Sequence, residues 1–137
     1  MMKTKQRNDE LIQRAFELLS SDSQYRNKIF KGNFIEDSFA GQVAAFSVSV
    51  AMIGLKPTLA MYYEQGGAAV DTRNIVGLVA ELLMKDGCTF APEGDRYNQP
   101  AEKLFVYAMK HNSDKLRKDV IDNAVALKVV LRTFIKK

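Results

Sequence analysis

The residues of this chain that could carry out catalysis are few and far apart. His111 is the only histidine and Cys88 the only cysteine, so neither a multi-histidine metal site nor an intramolecular disulfide can form. Cys88 lies in a predicted loop with no base beside it in sequence, and we interpret it as a small hydrophobic residue. We expect His111 to lie at a helix end, where an imidazole satisfies backbone carbonyls and complements the helix dipole. The sequence therefore predicts no enzyme and no cofactor.

Acidic pairs and glycines also have simple structural explanations. Asp9-Glu10 and Glu36-Asp37 fall in predicted first helical turns, where carboxylates complement the dipole, and Asp119 with Asp122 occupies a polar flank of the last helix. Neither Gly66-Gly67 nor Gly41 belongs to a glycine-rich phosphate-binding motif. No metal chelation is predicted from these residues.

The last predicted helix is the exception, because its basic residues gather on one side. On a wheel of 100° per residue they fall within an arc of about 100°. The members of this basic strip are Arg117, Lys118, Lys128, Arg132 and Lys136. Lys56 would join them if the fold brings it to the same side.

Two interpretations of the basic strip remain open. Long basic side chains can simply solvate a surface helix and complement its C-terminus. Alternatively, the strip contacts a nucleic-acid phosphate backbone independently of sequence. Ile121, Val125 and Ile135 interrupt the strip and make it amphiphilic, and no aromatic residue lies within it, so base stacking on this face is not predicted.

Length and composition indicate one soluble globular domain, residues 1–137. The chain is 47% hydrophobic and 26% charged, and its net charge of +4 permits an anionic partner without requiring one. The first ten residues lack the apolar core of a signal peptide, and the longest apolar zone, Val43 to Leu55, is shorter than a membrane span. We expect a cytoplasmic protein that does not associate with membranes.

Hydrophobic spacing predicts helices throughout and no confident strand. The expected fold class is all-α, a compact single-domain bundle of five to six helices. The predicted helices are Asn8 to Ser20, Ile35 to Ile53, Pro57 to Gln65, Asp71 (as N-cap) to Gly87, Gln99 to His111, and Asp114 to Ile135 with Ser113 as N-cap. An extra turn is expected near Tyr25, Ile29 and Phe30.

The second predicted helix is expected to be central because it is apolar or small nearly all round. Its large residues repeat at alternating spacings of four and three, as Phe39, Val43, Phe46, Val50 and Ile53. In the first helix Leu11, Ala15, Leu18 and Leu19 form an apolar stripe, which Ile12 and Phe16 widen. Methionines 52, 61, 84 and 109 are expected to fill the core.

A sharp corner should follow this central helix. Gly54 can adopt a positive φ and end one helix, and Pro57 can open the next at its first position, where a missing N–H costs nothing. Leu55, Leu59 and Tyr62 or Tyr63 would pack the short helix back onto the long one.

The residues of this corner carry a family resemblance. Ser38-Phe39-Ala40-Gly41 with Val43, followed by the string Gly-Leu-Lys-Pro-Thr-Leu-Ala-Met-Tyr from Gly54 to Tyr62, resembles the small subunit of the Cmr complex, a type III-B CRISPR RNA-guided effector. The resemblance extends more loosely to both terminal helices. It implies an all-α, non-catalytic antiviral-defence protein that stacks in several copies, head to tail, beside the other Cmr effector subunits.

By the same resemblance, these copies flank the groove where crRNA pairs with target RNA, and they contribute basic surface to it. The nucleic-acid-binding residues would be Lys56 and the basic strip. Two alternatives stay open: the small subunit of the related type III-A (Csm) complex, and a helical protein-interaction adaptor with no nucleic-acid role. An enzyme with a dispersed acidic site is a third class, against which only the missing His, Cys and Gly motifs speak.

Overall fold

Helices make up almost all the regular structure in the computed structural model, which describes residues 4–20, 30–31, 34–35, 37–64, 73–111 and 113–134. Six α-helices occur in these ranges, and the all-α prediction is confirmed. They are α1 (Thr4–Ser20), α2 (Asp37–Ile53), α3 (Leu55–Glu64), α4 (Arg73–Lys85), α5 (Pro100–Lys110) and α6 (Asp114–Leu131), with 3₁₀ turns at Glu93–Arg96 and Arg132–Phe134. No described helix is long and apolar enough to cross a lipid bilayer.

The core forms where α2 packs along α6. Helix α1 covers another side of α6, α3 packs back on α2, and α4 joins α6, α3 and α5. The predicted spacing of four and three holds, since Val43, Phe46 and Val50 are fully buried and Phe39 nearly so. From α6, the buried side chains are Leu116, Val120, Asn123, Ala124, Ala126, Leu127, Val130 and Leu131. One continuous hydrophobic cluster results.

The corner between α2 and α3 is built as the sequence suggests, with one difference. Gly54 has a φ of +106°, a conformation that glycine adopts without a Cβ penalty. Helix α3 already begins at Leu55, so Pro57 is its third residue rather than its first. Proline is still tolerated there, because the first four N–H groups of a helix have no intrahelical acceptor. Thr58, fully buried, shares a hydrogen bond of 2.8 Å between its Oγ1 and Oγ of Ser49, which ties α3 to α2.

Aromatic contacts hold α3 against α2 and α5. The ring of Tyr62 meets that of Phe46 edge-on at 5.0 Å, and the ring of Tyr63 stacks on Phe105 of α5 at 4.7 Å. Nε of Arg73, at the start of α4, donates to the carbonyl of Tyr63 at 2.6 Å. Burial raises the pKa of both tyrosines above the ordinary value. Helix α3 is therefore held by contacts with α2, α4 and α5.

Helix ends follow the predicted capping residues where the structure describes them. Ser113 accepts a hydrogen bond at its Oγ from the backbone N–H of Leu116, 3.1 Å away, and so caps α6. Helix α4 ends at Lys85, and the N–H groups of Gly87 and Cys88 return to the carbonyls of Met84 and Leu83. The predicted N-cap of α4, Asp71, lies outside the described residues, as do Tyr25 and Ile29 of the expected extra turn.

The prediction that the chain holds no strand needs a small correction. Phe30–Lys31 (β1) and Phe34–Ile35 (β2) pair antiparallel, with Phe30 opposite Ile35 and Lys31 opposite Phe34. Two residues per strand are too few to produce a readable alternation of polar and apolar positions. Phe30 thus belongs to a strand, and α2 begins at Asp37 rather than Ile35.

Helix α2 is not enclosed on all sides, contrary to the prediction. Its outer face carries Gly41, Ala45, Val48 and Met52, all exposed, with Val48 at 56% and Met52 at 79%. No charged side chain occurs between Ser38 and Ile53 to mark this face as external, so periodicity alone could not separate it from the core.

Other apolar residues expected in the core are also exposed. Ile53 lies at the end of α2, where no neighbour covers it, and Phe16 instead stacks on Phe134 with ring centroids 6.2 Å apart. Met61 and Met84 are exposed too, whereas Met109 is half-buried. The methionines therefore fill less of the core than predicted.

Replacing Phe46 with Ala should lower the free energy of unfolding by about 3–5 kcal/mol, because it leaves a cavity in the fully buried core. Val48→Ala, two residues along the same helix but on the exposed face, is the matched control and should change it by less than about 0.5 kcal/mol. Urea denaturation followed by circular dichroism measures both. Equal losses would contradict the burial pattern of α2.

Candidate nucleic-acid interface

The basic strip lies on the side of α6 that faces away from the core. Lys118 and Arg132 are exposed, and Arg117 and Lys128 are half-buried along the edge of the helix. The buried side chains of α6 occupy the opposite side, which sets the direction of the strip. The structure thus presents four of the predicted cations on one surface, and Lys136 lies outside the described residues.

The C-terminal part of the strip departs from the predicted helix. Helix α6 ends at Leu131, and Arg132 begins a 3₁₀ turn that runs to Phe134. The backbone N–H of Arg132 still reaches the carbonyl of Lys128, so the two residues stay one helical turn apart along the surface. Lys128 lies in the last turn of α6, where a cation also complements the helix dipole.

Only one carboxylate engages the strip among the described residues. Asp114 Oδ1 lies 3.7 Å from Nη2 of Arg117, and the Asp114 side chain is fully exposed. Such a solvated pair is weak, about 0–1 kcal/mol, and can be exchanged for another anion at little cost. The strip keeps its positive character.

Asp119 and Asp122 lie on another flank of α6 and are paired with cations there. Arg7 of α1 reaches Asp119 at 3.0 Å, Asp122 at 3.5 Å and Asp86, at the end of α4, at 3.8 Å. Nζ of Lys115 adds a 2.8 Å contact with Asp119, and this hydrogen bond raises the pKa of Lys115. The sequence predicts that Asp119 and Asp122 lie on a polar flank. It does not predict their contact with Arg7, because Arg7 is 112 residues from Asp119.

Of the apolar residues predicted to interrupt the basic strip, Ile121 and Val125 are described and Ile135 lies outside the described residues; Val129 is a further one that the sequence analysis did not name. Val125 and Val129 are 39% and 43% exposed and stand one helical turn apart. With Leu11 and Ile12 of α1 they line a groove of about 320 Å³. Ile121 is half-buried and packs against the core cluster. This part of the surface can accept an apolar side chain from a neighbour beside the cations.

Lys56 stands on a different helix from the strip. It is exposed in the first turn of α3, and α3 packs on α2, α4 and α5. Helix α2 packs against both α3 and α6 and so lies between them. Any contact that uses both Lys56 and the strip must therefore extend across more than one helix.

His111 and Cys88, the two residues considered for catalysis, follow different helices, α5 and α4. His111 follows α5 directly, as predicted, but its ring stacks on Tyr107 at 4.6 Å and its Nε2 lies 3.0 Å from Oε2 of Glu93. Hydrogen bonding from His111 lowers the pKa of Glu93. Cys88 is half-buried and has a free thiol. Among the described residues, no three His, Cys, Asp or Glu side chains form a group that could hold a metal ion.

Comparison with known proteins gives no match: none to a protein-family model, none to a curated protein and none to a solved structure. The resemblance of residues 38–62 to the Cmr small subunit therefore rests on the sequence motif alone.

The Arg7 cluster should contribute to stability. Arg7→Met removes the cation shared by three carboxylates, so we expect a loss of about 1–2 kcal/mol in the free energy of unfolding. Arg117→Met makes the same replacement where the only described partner is the fully exposed Asp114, and should cost less than about 0.5 kcal/mol. Urea titrations at low ionic strength compare the two variants. A loss for Arg7→Met no larger than for Arg117→Met would show that the cluster contributes nothing.

Proposed function

We propose that this chain is a non-catalytic small subunit of a type III-B CRISPR (Cmr) effector complex, present in several copies along the groove that holds crRNA and target RNA. The observation that carries the proposal is the string from Gly54 to Tyr62. Its residues form the α2–α3 corner, with Leu55 and Leu59 buried and Thr58 bonded to Ser49. The resembling residues thus have a definite structural task in an all-α fold, which supports a shared architecture.

The basic strip supports the part of the proposal that concerns RNA. Three cations of α6 and Arg132 of the following 3₁₀ turn share one surface, with one weak carboxylate partner among the described residues. Such an array matches the regular negative charge of a phosphate backbone and carries no information about base sequence. One subunit offers few phosphate contacts, so isolated binding is weak, whereas several linked copies on one strand multiply the contacts.

Two separate apolar surfaces support stacking of copies and contact with other effector subunits. The outer face of α2 is one, and the groove of Val125 and Val129 between α1 and α6 is the other. Head-to-tail assembly requires two different surfaces that fit each other, because the contact is not self-complementary. The proposed role also places the protein in the cytoplasm, where the RNA targets of such a complex are found.

A protein-interaction adaptor with no RNA role is the second candidate. The uncharged, exposed face of α2 favours it, since exposed apolar surface of this kind marks protein contacts. In that case the strip would be ordinary solvated surface, and charge reversal there would leave RNA affinity unchanged.

Reversing the charge of Lys128 and Arg132 separates these candidates. In the assembled complex, Lys128→Glu with Arg132→Glu should weaken target-RNA binding at least tenfold and reduce the slope of log affinity against log salt by roughly one unit per lost phosphate contact. The measurement is an RNA titration at two salt concentrations, after circular dichroism confirms the fold.

Lys85→Glu is the control for the single variant Lys128→Glu, measured alongside the double variant, because each reverses one charge. Lys85 occupies the last turn of α4 just as Lys128 occupies the last turn of α6, so both reversals carry the same helix-end cost. It should leave both affinity and salt slope unchanged. Equal effects of control and strip variants would mean that general charge, and not the strip, governs binding.

The purified chain should cleave neither single-stranded RNA nor an RNA duplex, with or without Mg²⁺. The expectation rests on a sequence with one histidine, one cysteine and no catalytic motif. The assay is gel electrophoresis of labelled RNA incubated with repurified protein. Cleavage that copurifies with the chain and disappears in an Asp119→Asn or Asp122→Asn variant would refute the non-catalytic assignment.

A further inference from the structure

A cleft of about 430 Å³ lies between the first 3₁₀ turn and the outer face of α5. Val106 and Met109, three residues apart on α5, form an apolar floor. The ring of Tyr97 lines the cleft from the 3₁₀ side, and Arg96 and Lys110 stand at its rim. None of these residues belongs to the basic strip, and α5 packs on α3, α4 and the 3₁₀ turn. The cleft is therefore a separate surface of the molecule.

The wall of the cleft is held rigidly by Gly94 at the centre of the 3₁₀ turn. Its N–H donates to the carbonyl of Phe90 at 2.7 Å, and its own carbonyl accepts from Nζ of Lys103 at 3.1 Å and from the N–H of Tyr97 at 3.1 Å. A Cβ at this position would lie 2.9 Å from Cβ of Phe90, so only glycine permits the close approach. These contacts fix the backbone that carries Arg96 and Tyr97 without any bound ligand.

The charges of the cleft favour an anion. Arg96 and Lys110 are exposed, and neither lies within ion-pair distance of a carboxylate among the described residues. After the hydrogen bond from His111, the charge of Lys110 adds a smaller contribution to the lowered pKa of Glu93. Glu93 is the one carboxylate that lines the cleft, and it already faces His111 at 3.0 Å. Asp95 belongs to the same 3₁₀ turn but does not line the cleft. Two cations at the rim are therefore available to a ligand.

One kind of ligand would use all three features of the cleft: the apolar floor, the aromatic wall and the two cations at the rim. A nucleobase is planar and stacks on aromatic and apolar surfaces, and the phosphate joined to it through the sugar is what a guanidinium binds best. The volume also falls within the range of small-ligand sites, about 300–1,000 Å³. An inorganic anion would leave the floor unused, and an uncharged aromatic would leave the cations unused.

We propose that this cleft binds a nucleotide unit, with its base on Val106, Met109 and Tyr97 and its phosphate between Arg96 and Lys110. The unit is either a free mononucleotide or one unpaired nucleotide of a single-stranded RNA. The basic strip contacts backbone only, whereas this cleft takes up a base. The assignment stands on the cleft alone, so it holds whether or not the strip contacts RNA.

The test uses the full chain, labelled with ¹⁵N, and four probes: AMP, adenosine, inorganic phosphate and the pentanucleotide A₅. AMP should shift the amide signals of residues 96–97 and 106–110, and adenosine or phosphate alone should bind at least tenfold more weakly. Measured from the cleft signals in the Lys128→Glu, Arg132→Glu variant, which lacks the central cations of the basic strip, tighter binding of A₅ than of AMP identifies single-stranded RNA as the source. Equal binding there identifies the free nucleotide.

Variants assign the two halves of the ligand. Arg96→Ala with Lys110→Ala should weaken AMP binding at least tenfold and reduce its salt dependence. Tyr97→Leu should weaken it with the salt dependence unchanged, and Tyr97→Phe, which keeps the ring, should bind like the original chain. Lys85→Ala, an exposed lysine outside both the cleft and the basic strip, is the charge control and should have no effect. Melting temperatures verify that each variant is folded.

Three results would overturn the proposal. Phosphate that binds as tightly as AMP would remove the role of the base. Shifts confined to α6 would transfer the binding to the basic strip. A Lys85→Ala variant as weak as the Arg96→Ala, Lys110→Ala pair would reduce the effect to general charge.

Discussion

The packing of α2 against α6 is the contact on which the rest of the structure depends. Both helices contribute fully buried side chains to one cluster, and each remaining α-helix is placed by packing on one of them or on a helix that does. Because burial of apolar area is the main favourable term in folding, this contact fixes which side of each helix faces inward. The outward sides, and so every candidate interface, follow from that choice.

On α6 the consequence is a division of charge. Its inward side meets α2, one flank brings Asp119 and Asp122 against Arg7 of α1, and the remaining side carries the basic strip. Asp119 and Asp122 pair with Arg7 of α1, so their charges do not neutralise the basic strip. A net charge of only +4 over the whole chain thus still yields one locally basic surface.

On α2 the consequence is an exposed apolar face. Ala45, Val48 and Met52 are exposed, and glycine at position 41 leaves open space above the helix. An uncharged helix face of this kind favours a protein neighbour. In the proposed assembly it is available for a copy of the chain or another subunit, while the strip of α6 is available for RNA, so one small domain could serve both contacts.

Local sequence determined the parts of this protein that depend on local physics. The spacing of Phe39, Val43, Phe46 and Val50 gave the buried side of α2, Gly54 gave the corner, and Ser113 gave a helix start, because each acts on residues within a few positions of itself. The basic strip could be drawn in the same way, since a helical wheel needs only the sequence of one helix. Its use as an RNA contact was suggested by resemblance and remains a proposal.

Only the tertiary structure decided which apolar residues stay outside and which distant charges meet. Val48 and Phe46 are equally apolar neighbours in sequence, yet one is 56% exposed and the other fully buried, because only one of them faces another helix. Arg7 meets Asp119, and Arg96 and Lys110 share a cleft, because folding brings separate elements together. Periodicity reports which residues share a side of a helix, but what covers that side depends on long-range packing that no local pattern contains.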